Sequence, residues 1–277
     1  MGKSSLINAM VGRKVSIVSD KPQTTRGAVR AVLNTDGGQV VFVDTPGLHK
    51  PRTLLGQRLN RTALGALDGV DVVVLVVDGK SGAGGGDAFV VDRLGPGNRH
   101  FCVVNKTDGM SRAAVLSQLT KVAEWGFEEY FAVSARSGAG VAALVSALVD
   151  RLPDSPALYP QGELPLLDGE LGTLQDGDER QWLGELVREQ LLAVTREELP
   201  YSIACRVTDW DWPYLRCEIL VERESQKGMV IGQGGAVLKR VGIAVRAQLP
   251  PGAYVELSVR VARDWQRKPE MLDRLGL

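Results

Sequence analysis

The sequence predicts an α/β domain with a mostly parallel sheet, followed by a smaller α+β domain. In residues 1–152, strand-like and helix-like stretches alternate, and several strand candidates are almost entirely apolar. Such strands are typical of a parallel sheet that helices cover on both faces. Residues 179–277 instead follow the order helix, strand, strand, helix, helix, strand. The length of 277 residues fits two domains at roughly 150 residues each.

The first half opens with a helix pattern at residues 4–11 and a hairpin. The hairpin is indicated by strand candidates 27–34 and 39–44, joined by the turn Asp36-Gly37-Gly38. The remaining elements predicted for this half are strands 72–77, 100–105 and 130–134, with helices 53–68, 87–94, 111–125 and 139–151. Strand 72–77 is apolar throughout and the other two are almost entirely so, and we therefore expect the sheet to be buried on both faces.

A change of composition separates the two halves. Prolines and Asp-Gly pairs punctuate residues 153–178, which predicts a linker. The predicted domains are therefore 1–152 and 179–277. The elements predicted for the second are helix 179–198, strands 201–208 and 214–222, two helices around a glycine-rich turn at 232–235, and strand 253–262.

The composition excludes several classes of protein. The 33 basic and 33 acidic residues cancel, so a nucleic-acid partner must be met by a local patch. Three scattered cysteines without a CxxC exclude a disulfide framework and a cysteine zinc site, and they fit a reducing cytoplasm. The longest apolar run, 70–77, is interrupted by Asp71 and is far shorter than the roughly 20 residues that span a bilayer. Residues 1–5 lack a signal-peptide core.

Gly2-Lys3-Ser4 opens the first helix and matches the end of the P-loop pattern G-x-x-x-x-G-K-[ST]. In that loop backbone amides hold phosphates, the lysine reaches the β- and γ-phosphates, and the hydroxyl binds Mg²⁺. The tripeptide alone is a weak signal. Four further motifs follow in order at strand ends or in the loop after the helix. They are Thr24-Thr25, Asp44-Thr45-Pro46-Gly47, Asn105-Lys106-Thr107-Asp108 and Ser134-Ala135.

These motifs together predict a guanine-nucleotide site at the carboxyl edge of the sheet. The D-x-x-G aspartate would hold Mg²⁺, and the N-K-x-D aspartate would accept two N–H groups of guanine. The predicted nucleotide-binding residues are Gly2, Lys3, Ser4, Ser5, Thr24, Thr25, Asp44, Thr45, Pro46, Gly47, Asn105, Lys106, Asp108, Ser134 and Ala135. For Mg²⁺ we predict Ser4, Thr25 and Asp44, although the sequence leaves Thr24 open as the alternative to Thr25.

No side chain is predicted to act in catalysis. Ras-like enzymes place a glutamine after D-x-x-G to orient the attacking water, whereas this chain has Leu48. A leucine cannot hydrogen-bond water, so we expect slow intrinsic hydrolysis. His49 follows directly, and we interpret it as a residue of a mobile switch rather than as a base.

Val230-Ile231-Gly232-Gln233-Gly234-Gly235 matches the V-I-G-x-x-G signature of a KH domain. A GXXG loop clamps the backbone of about four single-stranded nucleotides. Between Lys227 and Lys268 eight basic residues face two acidic ones, on a chain of zero net charge. The predicted RNA-binding residues are Lys227, Gly232, Gln233, Gly234, Gly235, Lys239 and Arg240. Trp210, Trp212 and Tyr214 could stack on bases, but we expect them to pack within the hairpin.

By these motifs the sequence resembles the Era family of bacterial GTPases over essentially its whole length. The stretches that carry the resemblance are 21–26, 42–51, 198–202, 221–227 and 228–235, with Asp264-Trp265 and Leu275-Gly276. The resemblance implies a Ras-like P-loop GTPase domain followed by a type II KH domain, with GTP, GDP and Mg²⁺ as cofactors. It also implies a monomeric cytoplasmic protein that binds the 3′ end of 16S rRNA, assists maturation of the 30S subunit and can associate peripherally with the inner membrane face.

The sequence departs from the family at its start. Family members carry a strand and the first P-loop glycine ahead of the position of Met1, so we expect a sheet without its first strand. We interpret this as a mis-assigned start or a fragment, and we expect the chain as written to bind GTP weakly. Two alternatives remain: a non-enzymatic rRNA-binding assembly factor with an impaired nucleotide site, and another translation-linked GTPase, for instance one that acts in tRNA modification.

Overall fold

The computed structural model describes residues 1–94, 99–159, 179–195 and 199–277. Its helices are α1 Lys3–Val11, α2 Leu54–Gly65, α3 Gly85–Leu94, α4 Arg112–Ala123, α5 Val141–Val149, α6 Glu179–Val194, α7 Leu199–Ser202, α8 Glu224–Ile231, α9 Ala236–Arg246 and α10 Pro269–Arg274. Its strands are β1 Val29–Thr35, β2 Gly38–Asp44, β3 Val73–Asp78, β4 His100–Asn105, β5 Glu129–Ala132, β6 Ala204–Asp211, β7 Tyr214–Val221 and β8 Tyr254–Val261.

The parallel sheet of the first domain has the order β3-β4-β5. Its central strand contains Phe101, Cys102, Val103 and Val104, all completely buried, which is why this segment reads as a continuous apolar run. The register pairs Asp78 with Asn105 at the ends of β3 and β4. Polar side chains that follow the strands are thereby gathered at one edge of the sheet.

The predicted hairpin is also present. Strands β1 and β2 are antiparallel, from Val29 opposite Asp44 to Thr35 opposite Gly38. Among the described residues no ladder joins this hairpin to the parallel sheet. The hairpin, the sheet, α1 and α5 nevertheless share one apolar core that includes Leu6, Phe42 and Phe101.

The second domain has a three-stranded sheet in which β6 and β7 are antiparallel and β7 and β8 are parallel. Helices α6, α8 and α9 cover it, with a core that includes Leu186, Ile219 and Val241. The order of helices and strands is the one predicted from the sequence for a type II KH domain.

Several element limits differ from the prediction. The helix predicted for 179–198 ends at Val194, and residues 196–198 lie outside the described part. The next strand begins at Ala204 rather than 201, because the preceding residues form the short helix α7. The sequence analysis missed α7 and also α10, which has a proline in its first turn. Of the predicted linker, only 153–159 is described.

The two domains pack directly against each other. On the helix α2 side, Leu55 and Leu59 share a buried cluster with Trp265 and Leu272. Arg58 of the same helix donates to Asp273 at 2.6 Å. In the ranges that the structure describes, no helix has the length and apolar character needed to span a bilayer.

Candidate functional site

Helix α1 presents its amino end to the edge of the parallel sheet. Gly2 caps the helix with φ 84°, a conformation that glycine adopts without strain. The amides of a first helical turn have no partner inside the helix, and the helix dipole is positive there. Burial lowers the pKa of Lys3, with Asp44 opposing the shift. An anion at this end of α1 would therefore be stabilised by the free amides, the helix dipole and Lys3.

Ser4, Thr25 and Asp44 meet beneath that helix end. The hydroxyl oxygens of Ser4 and Thr25 lie 3.0 Å apart, and Thr25 Oγ1 donates to Asp44 Oδ2 at 3.3 Å. The hydroxyl of Thr24 points elsewhere and donates to the carbonyl of Lys21 at 2.8 Å. Of the two threonines left open by the sequence, Thr25 is the one that lies at the aspartate.

The carboxylate of Asp44 is the feature that distinguishes this cluster. The side chain is 1% exposed, and its Oδ1 is buried without a hydrogen-bond partner among the described residues. Burial raises the pKa of Asp44, while a hydrogen bond from Ser4 and the charge of Lys3 oppose the shift. A buried carboxylate oxygen without a partner is costly unless something binds it. Carboxylate and hydroxyl oxygens are the ligands that Mg²⁺ prefers, so the residues fit that ion.

Asn105 connects the end of β4 to two other segments of the site. Its Nδ2 donates to the carbonyls of Met1 and Gly2 at 3.1 and 3.3 Å. Its Oδ1 accepts from the backbone amides of Lys106 and Ala135 at 2.8 and 3.1 Å. This buried amide thus joins the start of α1 to the Ser134-Ala135 loop, and it acts as a structural link rather than as a free ligand.

Asp108 follows as an ionised carboxylate at the surface. Ser134 Oγ donates to it at 3.0 Å, and Lys80 Nζ lies 3.4 Å from its other oxygen. The hydrogen bond from Ser134 is the main reason that the pKa of Asp108 lies below its usual value. The carboxylate therefore stays charged at neutral pH and can accept the N–H groups of a guanine base.

Sequence reasoning missed Asp78, at the end of β3. Lys106 Nζ donates to it at 2.6 Å. Burial raises the pKa of Asp78, but hydrogen bonds from Lys106 and the amide of Ser81 outweigh burial and hold it below the usual value. Asp78 fixes Lys106, which sits at φ 67°. The available signal was its position as the polar residue that ends an apolar strand.

The segment after β2 carries the rest of the D-x-x-G motif. Thr45 and Pro46 follow the strand directly, and a Cβ added to Gly47 would lie 3.6 Å from Lys3 Nζ. His49 Nδ1 lies 3.0 Å from the carbonyl of Gly47, and Asn60 Nδ2 donates to the carbonyl of His49 at 2.6 Å. Helix α2 thus holds the backbone at His49 through Asn60. The remaining predicted residue, Ser5, lies in the first turn of α1. All the predicted nucleotide-binding residues therefore come from segments that meet at this edge.

The glycine-rich turn of the second domain joins α8 to α9. Gly232 has φ 74°, and a Cβ there would lie 2.5 Å from Val237 Cγ2, so a larger residue does not fit. Gly234 and Gly235 also have positive φ but face open space. Another backbone can approach closely at these two glycines.

Charge is distributed unevenly around this turn. Lys239 and Arg240 are exposed in the first turns of α9, whereas Lys227 of α8 lies 3.9 Å from Glu224. Gln233 is exposed at the tip and adds no charge.

The aromatic residues of the β6–β7 hairpin divide into two groups. Trp210 packs against the domain core, as expected. Trp212 and Tyr214 are 42% and 62% exposed, and the Tyr214 ring contacts that of Tyr254 with centroids 5.7 Å apart. The expectation that all three pack within the hairpin was therefore wrong for Trp212 and Tyr214.

The fold and the two sites define a P-loop GTPase domain joined to a KH domain. Residues 1–106 match the family described as 50S ribosome-binding GTPase, and residues 198–266 match the KH domain family. Curated relatives extend this match to the whole chain. GTPase Era of Mycobacterium tuberculosis (strain ATCC 25618 / H37Rv) is 42% identical over 292 residues, covering 99% of this chain and 94% of that protein. GTPase Era of Heliobacterium modesticaldum is 38% identical, covering 100% and 93%.

Solved structures agree with the sequence relatives. Era in complex with MgGDPNP and nucleotides 1506–1542 of 16S ribosomal RNA matches with a TM-score of 0.90 and 31% identity, over 99% of this chain and 94% of that one. Aquifex aeolicus Era Y63A bound to GDP.AlF4- matches with a TM-score of 0.89 over the same shares. The chain belongs to the Era family of GTPases. The predicted family, fold class and GTPase activity are confirmed.

Proposed function

We propose that this chain is a GTP-switched RNA-binding protein that binds the 3′ end of 16S rRNA and assists maturation of the 30S ribosomal subunit. The observation that carries the proposal is the buried Asp44 oxygen beside Ser4 and Thr25, under the amino end of α1, which has no hydrogen-bond partner in the part of the chain that the structure describes. The similar Era structure, in complex with MgGDPNP and a segment of 16S ribosomal RNA, supports both ligands.

One group of residues would bind the phosphates of GTP or GDP and the Mg²⁺ ion. Gly2, Lys3 and Ser5 at the start of α1 would hold phosphate oxygens through amides and the lysine ammonium. The Mg²⁺ ligands we propose are Ser4, Thr25 and Asp44. When bound, Mg²⁺ would neutralise charge on the phosphate oxygens.

A second group of residues would recognise the guanine base. The Asp108 carboxylate would accept the two N–H groups of guanine. The residues we propose to position that carboxylate and close the base pocket are Asn105, Lys106, Ser134 and Ala135.

Hydrolysis would be slow in the chain alone. Leu48 stands where a glutamine would orient water, and its side chain cannot hydrogen-bond. Thr45, Pro46 and Gly47 would bring a backbone amide to the terminal phosphate.

The glycine-rich turn would bind single-stranded RNA. Gly234 and Gly235 leave space for a sugar–phosphate backbone, and Lys239 and Arg240 supply positive charge beside it. Gly232 and Gln233 complete the turn, and Lys227 lies on the preceding helix. The domain limits we propose are 1–152 and 179–277, joined by 153–178.

The RNA assignment is tested by Gly234→Asp. Aspartate tolerates a positive φ and places a negative charge where phosphate would lie. Gly126→Asp is a matched control, because Gly126 has φ 70° and also faces open space. We expect Gly234→Asp to weaken binding of an RNA with the 3′ end of 16S rRNA by at least about tenfold. A loss of this size corresponds to about one charge-assisted contact. Equal affinities of the two variants would contradict the proposal.

Family membership supports three further proposals: a cytoplasmic location, a monomeric state and peripheral association with the inner membrane face. Sedimentation equilibrium tests the monomer. Co-sedimentation with anionic vesicles tests the membrane association, and the chain remaining in the supernatant at low salt would overturn it.

A further inference from the structure

Asn60 of helix α2 holds the backbone of the segment that follows β2. Its Nδ2 donates to the carbonyl of His49 at 2.6 Å, and its Oδ1 accepts from the amide of His49 at 3.3 Å. An amide side chain has both a donor and an acceptor, so Asn60 bonds both backbone groups of His49. These two bonds fix a stretch of chain that belongs to no helix or strand.

The imidazole ring of His49 extends this constraint to Gly47. Its Nδ1 lies 3.0 Å from the carbonyl of Gly47 and donates to it when Nδ1 carries the proton. Its Nε2 lies against α2, since a Cβ added to Gly56 would be 3.4 Å away. Glycine has more backbone freedom than any other residue, so these contacts restrict the residue of the segment that would otherwise move most.

Asn60 can hold this segment because α2 is itself anchored. Leu59, the preceding residue, is 2% exposed and shares a buried cluster with Trp265 and Leu272 of the second domain. One face of α2 is therefore packed, while the Asn60 side chain reaches the segment after β2. A polar side chain on a packed helix positions its partner more precisely than one on a loop.

The segment is held at the phosphate end of the nucleotide site. A Cβ added to Gly47 would lie 3.6 Å from Lys3 Nζ, so Gly47 lies beside the lysine at the amino end of α1. Leu48 cannot orient water as a glutamine does. The approach of this backbone to the terminal phosphate therefore bears directly on the rate of hydrolysis.

We propose that Asn60 is a positioning residue for GTP hydrolysis, which acts through His49 to keep the amide of Gly47 at the terminal phosphate. The inference rests on the proposed function, in which that amide meets the phosphate. GDP lacks the terminal phosphate. The loss of Asn60 should therefore slow the hydrolysis of GTP and leave the binding of GDP unchanged.

Single-turnover hydrolysis of GTP, with the full chain in saturating excess, tests this role together with GDP affinity. Asn60→Ala removes both hydrogen bonds. Asn60→Asp keeps the side-chain size but removes the donor to the His49 carbonyl. The matched control is Gln57→Ala, which changes an exposed side chain of the same helix.

We expect both Asn60 variants to hydrolyse GTP at least about tenfold more slowly, with GDP affinity within about twofold of the wild type. The control should keep both quantities within about twofold. Unchanged turnover in both Asn60 variants overturns the inference. A parallel loss of turnover and of GDP affinity also overturns it, because Asn60 would then be needed only for the fold.

Gly47→Ala separates this inference from the proposed function. Its methyl group would lie beside Lys3 and obstruct the terminal phosphate, so we expect slow turnover. Slow turnover of Gly47→Ala with normal turnover of the Asn60 variants overturns the inference alone. Normal turnover of Gly47→Ala contradicts the proposed role of the Gly47 amide, and the inference is then overturned with it.

Discussion

At the scale of single residues, the buried carboxylate of Asp44 has opposite effects on folding and on the proposed binding of Mg²⁺. Its charge lowers the stability of the fold, and the same charge would bind the ion. Its carboxylate is buried, and one oxygen has no partner among the described residues. Because burial raises its pKa in the folded state, ionisation of Asp44 lowers stability. That loss develops as the pH rises above the usual value of 3.8 through the raised folded pKa. At neutral pH the chain is less stable for having this charge.

We expect Asp44→Asn to stabilise the chain in magnesium-free buffer at pH 7. The gain comes from removing a charge that burial disfavours, and it should vanish as the pH approaches the usual carboxyl range. The same variant should lose the stabilisation that Mg²⁺ and GDP together give the wild type. Urea unfolding with and without these ligands measures both. Destabilisation of Asp44→Asn in the absence of ligand would contradict the argument, and Asp36→Asn, in an exposed turn, is the control.

The residues of the motifs could be read from the sequence because each lies at a strand end or helix start that its own neighbours define. The contacts of Asp78, Asn60 and Arg26 could not, because each depends on a partner that is distant along the chain. Arg26, for example, donates to Ile203, 177 residues away. The sequence also could not decide whether Thr24 or Thr25 lies at Asp44. That choice depends on a local turn, in which the Thr24 hydroxyl donates to the carbonyl of Lys21.

At the scale of elements, periodicity predicted the strands well and the short helices poorly. The apolar run of β4 and the alternation of buried and exposed positions in the hairpin strands are both visible in the sequence itself. Helices α7 and α10 contain only 4 and 6 residues, too few to show a helical period. Both contact the first domain. Leu272 of α10 shares a cluster with Leu55 and Leu59 of α2, and Arg26 donates to the carbonyl of Tyr201 in α7.

We expect Trp265→Phe to lower the free energy of unfolding by about 1–3 kcal/mol. Trp265 is completely buried, and its indole N–H donates to the carbonyl of Ser202 at 2.9 Å, so phenylalanine removes this hydrogen bond and part of the buried ring. Trp212→Phe is the control, because Trp212 is 42% exposed and its replacement should change stability little. Chemical denaturation of both variants measures the difference. Equal stabilities would show that the buried indole of Trp265 and its hydrogen bond do not contribute to the stability of the interface.

At the scale of the whole molecule, the segment that carries Thr25 is held by the second domain. Arg188 of α6 donates to the carbonyl of Thr24, and Glu189 accepts from the amide of Val18 at 2.8 Å. The residues beside the proposed Mg²⁺ site are thus bound to the domain that carries the glycine-rich turn. A change in the nucleotide can reach the second domain through these contacts.

We expect Arg188→Met to destabilise the chain by about 2–3 kcal/mol. The Arg188 side chain is 1% exposed, and its loss leaves Glu185 without its partner and the Thr24 carbonyl without this donor. Arg151→Met removes an exposed arginine that pairs with Glu128 and Glu129, and it should cost less than about 1 kcal/mol. Thermal unfolding of the two variants compares them. Similar losses would mean that the interdomain contact contributes no more than a surface pair.

The central claim is that the edge of the parallel sheet binds a guanine nucleotide, with Asp108 reading the base. The most direct measurement compares GDP with xanthosine diphosphate, for the wild type and for Asp108→Asn. Asparagine replaces one acceptor with a donor, which suits the additional carbonyl of xanthine. We predict that the wild type prefers GDP and that Asp108→Asn loses about a hundredfold in GDP affinity while it gains affinity for xanthosine diphosphate. A wild-type chain that binds both nucleotides equally, or a variant with unchanged preference, would contradict the account.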